Sequence, residues 1–319
     1  KIEMKKKILI LGASGFIGKN LAEYFGQDKK FITYGTYYTR KPKIKNVRLV
    51  KINLQNKEQI GKVLKKKNIV VNCAAITSGA KDIISKPYIH VSSNTIINSN
   101  VISEAFEKKI DHLIMLSCTL MYSSSKKLIK EIDLDLNKKI YDKYFGGAWM
   151  KLYMEKMTEF FSKISKNKFT IIRHSNLYGP YDKYDLSKSH VFGASINKAF
   201  SSKKKFVILG NGNEKRDLLY IDDFIQFVNL VIKKQKRKFR IYNCGSGNYI
   251  SVRNLVKKIL FLSNKKLKIV YNKKFQSLKT FVKLNCNLAK KELGWTPQVT
   301  LEKGIERTIK WYKTEYNIK

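Results

Sequence analysis

Apolar positions in the first half of the chain come in short runs that alternate with stretches of helical spacing. Lys6–Leu11 is an apolar run of strand type, and the apolar residues of Lys19–Phe25 recur at helical spacing after a glycine-rich stretch. The same alternation predicts strands at Phe31–Tyr37, Val47–Asn53, Ile69–Cys73, His112–Leu116 and Phe169–His174, and helices at Glu58–Lys66, Asn94–Lys108 and Lys151–Ser165. Strands that alternate with helices in this way indicate a parallel sheet covered on both faces.

The pattern changes after residue 180. Tyr181–His190 is polar and predicts a loop, Val191–Phe200 predicts a helix, and short strand and helix signals follow. We therefore predict an α/β protein with a Rossmann-type doubly wound parallel sheet and a smaller C-terminal α/β substrate domain. The first domain is predicted to cover residues 4–180, with 215–245 returning to it, and the second to cover mainly 181–319.

Composition and charge limit the classes of function. The chain has 319 residues, of which 43% are apolar, and no apolar run approaches the roughly 20 residues of a membrane-spanning helix. The formal charge is +41, but the excess is mostly lysine and is spread along the whole length, which is typical of a solvated surface. We expect neither a nucleic-acid nor a membrane partner, and the positive field suits a small substrate that carries phosphate.

The cysteines indicate no metal and no disulfide framework. Cys73, Cys118, Cys244 and Cys286 form no CxxC pair, so neither a zinc site nor a disulfide scaffold is expected. No signal peptide is visible at the start of the sequence, and we expect a reducing, cytoplasmic location.

Three glycines predict a dinucleotide site. Gly12, Gly15 and Gly18 follow the first strand and open a helix. The first glycine allows a tight turn, the second lets the backbone approach a pyrophosphate at the helix N-terminus, and the third allows close helix–strand packing. Residues within and beside this turn are predicted to bind the cofactor, namely Ser14, Phe16 and Ile17.

The end of the second strand bears on the choice between NAD and NADP. An acidic residue there would bind the ribose 2′-hydroxyl of NAD. The sequence is GTYYTRKPK (35–43), with no acid and with the basic residues Arg40 and Lys41, which suit a 2′-phosphate, so NADP is favoured over NAD. Thr39 and Arg40 are predicted to contact the cofactor. Asn53, after the third strand, is placed to contact the adenine.

An ordered series of motifs covers essentially the whole chain. It comprises GASGFIG (12–18), NCAAITSG (72–79), SSNTIINSNVISEA (92–105), RHSNLYGP (173–180), GNGNEKRDLLYIDD (210–223), NCGSG (243–247) and LGWTP (293–297). This series resembles that of the extended short-chain dehydrogenases/reductases, the NAD-dependent epimerase/dehydratase family, which modify nucleotide sugars. Within this family the chain is most similar to the GDP-L-fucose synthase branch, because residues 176–198 and the Ile-Thr-Ser-Gly at 76–79 match it.

The resemblance implies a GDP-sugar substrate and a set of binding residues. It implies that Leu54, Ala74 and Ala75 contact the cofactor. It also implies substrate contacts from Thr77, Ser78, Asn176, His190, Val191, Lys198 and Arg216. Cations at the last two positions suit a diphosphate, since charge-assisted bonds to phosphate are strong. The branch also implies a homodimer or larger homo-oligomer, paired through the helices near 94–108 and 151–165.

The catalytic positions depart from the family pattern. In this family a tyrosine moves the proton, a lysine four residues later lowers the tyrosine pKa and binds the nicotinamide ribose, and a Ser or Thr completes the set. Here Lys151 remains, Gly147 replaces the tyrosine, and Cys118 stands at the Ser/Thr position with Thr119 beside it. The proton could pass through Thr119, Cys118, Lys151, water or a relocated tyrosine. Tyr144 could take this role only if the intervening glycine pair is not helical.

Other departures restrict the reaction. A 4,6-dehydratase of the family carries an Asp-Glu pair where this chain has Leu120 and Met121. His190 matches the histidine of the Cys/His pair that epimerises C3 and C5, but Leu120 occupies the cysteine position. His190 is either catalytic or structural, and Cys118 is either a small packing residue or a reactive thiol.

The surviving chemistry is oxidation or reduction at C4 of a GDP-sugar, of the GDP-mannose or GDP-manno-heptose type, for polysaccharide or capsule synthesis. One alternative is a nucleotide-sugar epimerase that uses transient C4 oxidation. The other is a nucleotide-sugar-binding protein without catalytic activity.

Overall fold

The computed structural model of the chain describes residues 5–77, 88–274 and 281–318. These residues contain thirteen strands: β1 (Lys6–Leu11), β2 (Phe31–Tyr37), β3 (Val47–Lys51), β4 (Ile69–Asn72), β5 (His112–Ser117), β6 (Lys168–His174), β7 (Asn176–Tyr178), β8 (Lys205–Leu209), β9 (Lys215–Arg216), β10 (Leu218–Tyr220), β11 (Phe239–Cys244), β12 (Ile250–Ser251) and β13 (Lys268–Asn272). Seven of them form one parallel sheet in the order β3-β2-β1-β4-β5-β6-β11.

The described residues also contain nine α-helices: α1 (Phe16–Gln27), α2 (Lys57–Leu64), α3 (Tyr88–Glu107), α4 (Phe145–Lys163), α5 (Val191–Ser201), α6 (Ile221–Lys234), α7 (Val252–Leu262), α8 (Asn287–Leu293) and α9 (Leu301–Glu315). Short 3₁₀ helices lie at Glu131–Asp133 and Asp142–Tyr144. None of the helices described is long and apolar enough to cross a membrane.

The two faces of the large sheet bury separate hydrophobic clusters. Along β1, Ile8 and Ile10 pack into the cluster that includes Phe25 of α1, whereas Leu9 and Leu11 pack into the cluster that includes Val101 of α3. Alternate residues of a strand point to opposite faces, so a sheet covered on both sides needs strands that are apolar throughout. This requirement explains the continuous apolar runs from which the strands were predicted, and the predicted α/β fold is confirmed.

The main error in the predicted elements is the start of two helices. The structure begins α3 at Tyr88 and α4 at Phe145, both earlier than the predicted starts at Asn94 and Lys151. Gly146 and Gly147 reduced the helical signal, because glycine is a weak helix former. Packing overrides this preference, since a Cβ at Gly146 would lie 2.8 Å from Val91 Cγ2 of α3.

The strands after β6 form three small sheets, except for β11, which joins the large sheet. β7 pairs with β10, β9 with β12 and β8 with β13, each as a two-stranded sheet. β11 lies beside β6 at the edge of the large sheet, although it follows residue 180 in the chain. The assignment of functions to two domains stays a prediction.

Candidate active site

The glycine turn after β1 has the geometry of a phosphate-binding loop. Gly12 has φ +79°, and a Cβ there would lie 2.8 Å from the Ala74 Cα. A Cβ on Gly18 would lie 2.2 Å from the Gly12 carbonyl oxygen, so both positions require glycine. Helix α1 begins directly after Gly15, with no side-chain cap and no acid in its first turn. Its first N–H groups are therefore available to an anion.

A threonine that the sequence reasoning missed supports this turn. The Thr36 hydroxyl oxygen of β2 accepts a bond from the Gly12 N–H (3.0 Å), and the Thr36 carbonyl accepts one from the Ala13 N–H (2.8 Å). Ser14 is exposed, and Phe16 and Ile17 are half-buried at the start of α1. The predicted cofactor residues of this loop thus lie together at the carboxyl end of β1.

The other predicted cofactor residues lie at the ends of neighbouring strands. Thr39 and Arg40 follow β2 and are exposed. Asn53 follows β3, and its side-chain oxygen accepts a bond from the Gln55 N–H (3.0 Å) within the same turn. The half-buried Leu54 side chain packs against the core beside α3.

The segment after β4 is fixed by an asparagine that the prediction also missed. The Asn94 side chain of α3 accepts a bond from the Ile76 N–H (2.8 Å) and donates to the Ile76 carbonyl (3.0 Å). Half-buried Ala74 and exposed Ala75 precede this anchor, and exposed Thr77 follows it. Ser78 lies outside the described residues. A side-chain amide that pairs with the backbone of a distant loop leaves no periodic signal in the sequence.

Lys151 belongs to α4, and its side chain reaches the carboxyl end of β5. Its Nζ donates to the Leu116 carbonyl at 2.8 Å. Burial lowers the pKa of the Lys151 ammonium, and the negative charge of Glu155 partly offsets that effect. Burial also raises the pKa of the Cys118 thiol despite the opposing charge of Lys151, so this thiol is protonated at neutral pH.

A buried ion pair lies beneath these groups. Glu155, one helical turn after Lys151, accepts bonds from the Ser117 hydroxyl (2.6 Å) and from Arg173 Nη2 (2.7 Å). Arg173 Nη1 also donates to the Tyr122 hydroxyl (2.8 Å). Burial opposes the charge of Arg173, but its bonds to Glu155 outweigh burial and raise its pKa. These bonds join β5, β6 and α4, and so fix the position of the helix that carries Lys151.

The position without its tyrosine has room for a Cβ. Gly147 lies in α4, and a Cβ there would meet Leu120 Cδ1 at 3.4 Å, an ordinary contact distance. The prediction allowed Tyr144 to replace the tyrosine only if Gly146 and Gly147 were not helical. Both glycines are helical and Tyr144 directly precedes α4, so that condition is not met.

A cleft of about 380 Å³ opens beside this position. It brings together the predicted residues Thr119, Asn176 and Arg216. The sequence reasoning had not assigned a role to several other residues of its wall, among them Ser123, Ser124, Lys139, Tyr141 and Lys215. Tyr144 also lines the cleft, and its ring lies 5.3 Å from that of Tyr141.

His190 and Val191 lie where α5 begins, and Lys198 lies in its last turn. Desolvation lowers the pKa of His190, and the positive charges of Lys183 and Arg216 add to this effect. Lys198 Nζ donates to the Val207 carbonyl of β8 at 2.9 Å, and Lys198 is not among the described residues of the cleft wall.

Two further residues of this region were missed. Lys183 Nζ donates to both the carbonyl and the hydroxyl oxygen of Thr77, each at 2.7 Å, and so joins the loop after β4 to the segment before α5. His174 ends β6, and its Nδ1 lies 2.8 Å from the Ser175 carbonyl. Burial lowers the pKa of His174 to about 4, so its imidazole is neutral at physiological pH. Among the described residues, no group of His, Cys, Asp and Glu could hold a metal ion.

Comparisons with known proteins agree with this geometry. The model of the NAD dependent epimerase/dehydratase family matches residues 8–245. GDP-L-colitose synthase of Yersinia pseudotuberculosis is 28% identical over 319 residues, which cover 98% of this chain and 99% of that protein. GDP-L-fucose synthase of Azorhizobium caulinodans is 25% identical over 321 residues, or 97% of each chain. The resemblance inferred from the motifs is confirmed.

The fold also matches solved structures. UDP-glucose 4-epimerase of Thermotoga maritima, solved with UDP-glucose, has a TM-score of 0.86 and 21% identity over 97% of this chain and 99% of that one. At this identity the match shows the shared fold.

Proposed function

Because the chain belongs to the NAD dependent epimerase/dehydratase family, we propose that it is a nicotinamide-dependent oxidoreductase acting at C4 of a GDP-sugar. The sugar is of the GDP-mannose or GDP-manno-heptose type, and its product serves surface polysaccharide or capsule synthesis. Relatives that modify GDP-sugars, the colitose and fucose synthases, support a nucleotide-sugar enzyme.

The observation that carries the proposal is the chemistry of the wall near Lys151. Leu120 and Met121 occupy the positions of the dehydratase acid pair, and they pack in an apolar cluster with Ala148 and Leu152. Neither side chain can transfer a proton. Lys151 and Thr119 remain at the end of β5 as polar groups, which suffices for hydride transfer at one carbon but supplies no dehydratase acid pair.

The opposite wall suits a diphosphate. Arg216 and Lys215 of β9 line the cleft together with Asn176, whose side-chain N–H donates to the Asp217 carbonyl (3.1 Å) and so fixes the amide. Two cations beside an anchored amide can bind phosphate oxygens. A substrate that binds its diphosphate here would place its sugar towards Thr119 and the end of β5.

The glycine loop fits the dinucleotide. Gly12, Gly15 and the first N–H groups of α1 would hold its pyrophosphate, and Arg40 would lie near a ribose 2′-phosphate, so NADP is the proposed cofactor. When bound, the nicotinamide supplies or accepts the hydride. Replacing Arg40 with Glu should raise the KM for NADPH at least about tenfold and leave the KM for NADH nearly unchanged. Equal effects on both cofactors would contradict this role.

The proton must come from a group other than residue 147. Thr119 lines the cleft and its hydroxyl can bond the sugar O4, while Lys151 nearby has a lowered pKa. We propose that Thr119 orients the oxygen and that Lys151 supplies the proton through water.

Incubation with a panel of GDP-sugars under anaerobic conditions tests this function, with absorbance of the reduced nicotinamide as the readout. We expect turnover with a 4-keto or 4-hydroxy GDP-sugar, and its loss in Lys151→Met. Deuterium from solvent at a carbon beside C4, without net cofactor turnover, would instead identify an epimerase. Binding by calorimetry without any turnover would identify a binding protein.

A further inference from the structure

A group of Lys and Arg residues lies just before the strands of the large sheet. The four positions before each of the seven strands hold fourteen Lys or Arg residues in all, whereas the four positions after each strand hold two, Arg40 and Lys41. Because the seven strands are parallel, the fourteen residues converge on one edge of the sheet. We call this surface the amino edge; it comprises Lys5 and the segments 27–30, 43–46, 65–68, 108–111, 164–167 and 235–238.

Backbone hydrogen bonds show that these segments are neighbours in space. The Lys6 N–H donates to the Lys30 carbonyl (3.2 Å), and the Asn68 N–H donates to the Lys7 carbonyl (3.0 Å). Farther along, the Lys168 N–H donates to the Asp111 carbonyl, and the Phe169 N–H donates to the Lys238 carbonyl (2.8 Å). At about 4.8 Å between strands, the amino edge is roughly 30 Å long.

The positive charge of the amino edge is largely uncompensated. Lys108 forms an ion pair with Glu104 (3.6 Å), and no other cation of the amino edge pairs with a carboxylate of the described residues. Asp28 and Asp111 lie in these segments, but their carboxylates accept bonds from the Lys30 N–H (2.9 Å) and from the Asn68 side chain (2.9 Å).

Neighbouring cations also perturb one another. Burial lowers the pKa of Lys67, and the charge of Lys7 lowers it further. Burial and the charge of Lys6 likewise lower the pKa of Lys168. Fourteen of the 65 Lys and Arg residues, which appear evenly spread in the sequence, therefore lie together along this one edge.

The amino edge lies at the end of the sheet opposite the cleft. Ligands of open α/β sheets bind outside the carboxyl ends of the strands, where the glycine turn, Lys151 and Thr119 are found. A partner at the amino edge would leave the cleft open to small substrates.

We propose that the amino edge binds the surface of an anionic phospholipid bilayer. Thirteen of its fourteen cations are lysines, with Arg237 as the exception. Lysine acts as a point charge, and a row of such charges matches the diffuse negative potential of a lipid surface. This proposal departs from the absence of a membrane partner expected from the sequence.

Nucleic acid is the competing polyanion, and the amino edge suits it less. Recognition of bases relies on arginine forks, and binding of single strands relies on exposed aromatic platforms. Tyr34 of β2 has Lys67 Nζ 4.2 Å from its ring centroid and Arg48 on the same ring, so it does not present a free face of this kind.

Cosedimentation with vesicles tests the proposal. The full-length protein is mixed with vesicles of phosphatidylcholine alone or of equal parts phosphatidylcholine and phosphatidylglycerol. One variant carries Lys29→Glu, Lys65→Glu, Lys236→Glu and Lys238→Glu at the amino edge. A matched control carries Lys203→Glu, Lys204→Glu, Lys303→Glu and Lys310→Glu elsewhere on exposed surface, with the same change in net charge.

We expect the wild type and the control to bind the anionic vesicles and not the neutral ones, and binding should weaken as salt shortens the screening length. The amino-edge variant should bind at least roughly a thousandfold more weakly, because each lysine near the surface contributes about 1 kcal/mol, and its circular dichroism should be unchanged. No binding to anionic vesicles, equal binding to neutral ones, or equal losses in the two variants would overturn the proposal. So would the wild type binding duplex DNA through these lysines but not vesicles. The assay needs no substrate, so its outcome is independent of the proposed reaction.

Discussion

Gly147 and Gly146 are adjacent residues of α4 with opposite surroundings. Gly146 packs against Val91 with no room for a side chain, whereas Gly147 faces Leu120 across ordinary contact distance. Packing against Val91 therefore requires glycine at position 146. No contact of this kind requires glycine at position 147, where the family has its catalytic tyrosine. The sequence showed that the tyrosine is missing, but only the structure shows that a Cβ at this position would meet Leu120 Cδ1 no closer than 3.4 Å.

Gly147→Tyr tests whether that place is still functional. We expect turnover in the hydride-transfer assay to rise by roughly a hundredfold, because a positioned general acid contributes about 10²–10⁴. Gly147→Phe is the matched control, since it adds the same ring without the hydroxyl group, and it should not raise turnover. An unchanged rate in the tyrosine variant would mean that another residue already moves the proton.

Other residues of the site differ in how far the sequence could identify them. Gly12 and Gly18 were predictable because the turn excludes a Cβ, and that requirement leaves glycines at fixed spacing. Thr36, Asn94 and Lys183 were not, because each acts through bonds to a backbone segment far away in the chain. The roles of the predicted catalytic and binding residues stay predictions.

At the scale of elements, strands were easier to predict than helix ends. β1 and β2 have the predicted bounds, and in β1 the apolar run Ile8–Leu11 is continuous because its residues are buried on both faces of the sheet. The start of α4 was wrong because it depends on the approach of α3, a contact between segments more than fifty residues apart. Local propensity carries no information on such a contact.

The glycine pair of α4 gives a stability prediction. Gly147→Ala should raise the free energy of unfolding by about 0.5–1 kcal/mol, because alanine is the better helix former and its Cβ fits. Gly146→Ala should lower it by about 1–3 kcal/mol, because its Cβ would overlap Val91. Urea denaturation of both variants measures the two values. Equal effects would show that the packing of α3 on α4 does not distinguish the two positions.

At the scale of the whole molecule, acid stability depends on His112, the first residue of β5, which directly follows a segment of the amino edge. His112 is buried, its Nε2 lies 2.8 Å from the Thr170 hydroxyl oxygen, and burial lowers its pKa from 6.5 to about 3. The folded state keeps this imidazole neutral while the unfolded chain takes up a proton. Its contribution to stability is therefore complete above pH 6.5 and declines as the pH falls towards 3.

His112→Leu should remove this part of the pH dependence. We expect the wild type to lose up to about 1.4 kcal/mol per pH unit from this group between pH 6 and 4, relative to the variant. Denaturant midpoints at several pH values give the difference, and parallel profiles would contradict the assignment. At pH 7 the variant should be the less stable protein, because it lacks the bond to Thr170.

The family resemblance predicts a homodimer, and α4 offers a surface for it. Phe145, Tyr153 and Phe160 are each more than half exposed, and Trp149 lies on the same helix. Trp149→Glu should convert the dimer into a monomer, because a charge in an apolar interface is costly. Light scattering after size-exclusion chromatography measures the mass. A wild type that is monomeric at micromolar concentration would contradict the prediction.

The charge of the molecule shows why a linear sequence can mislead. Lysine appears uniform along the chain, yet fourteen of the 65 Lys and Arg residues lie just before the seven strands, and the parallel sheet brings these fourteen to one side. The positions of these lysines were visible in the sequence, but their convergence in space depends on the order and direction of the strands. The overall fold was predictable from the same alternation because it repeats in every unit.

The direction of the strands gives the protein a built-in orientation on charged materials. All seven run the same way, so the cationic side and the reaction cleft face opposite directions. On a sulfonated resin or a negatively charged electrode, the molecules should adsorb with their clefts pointing outward. Such a layer would keep access to dissolved nucleotide sugars without any chemical tether.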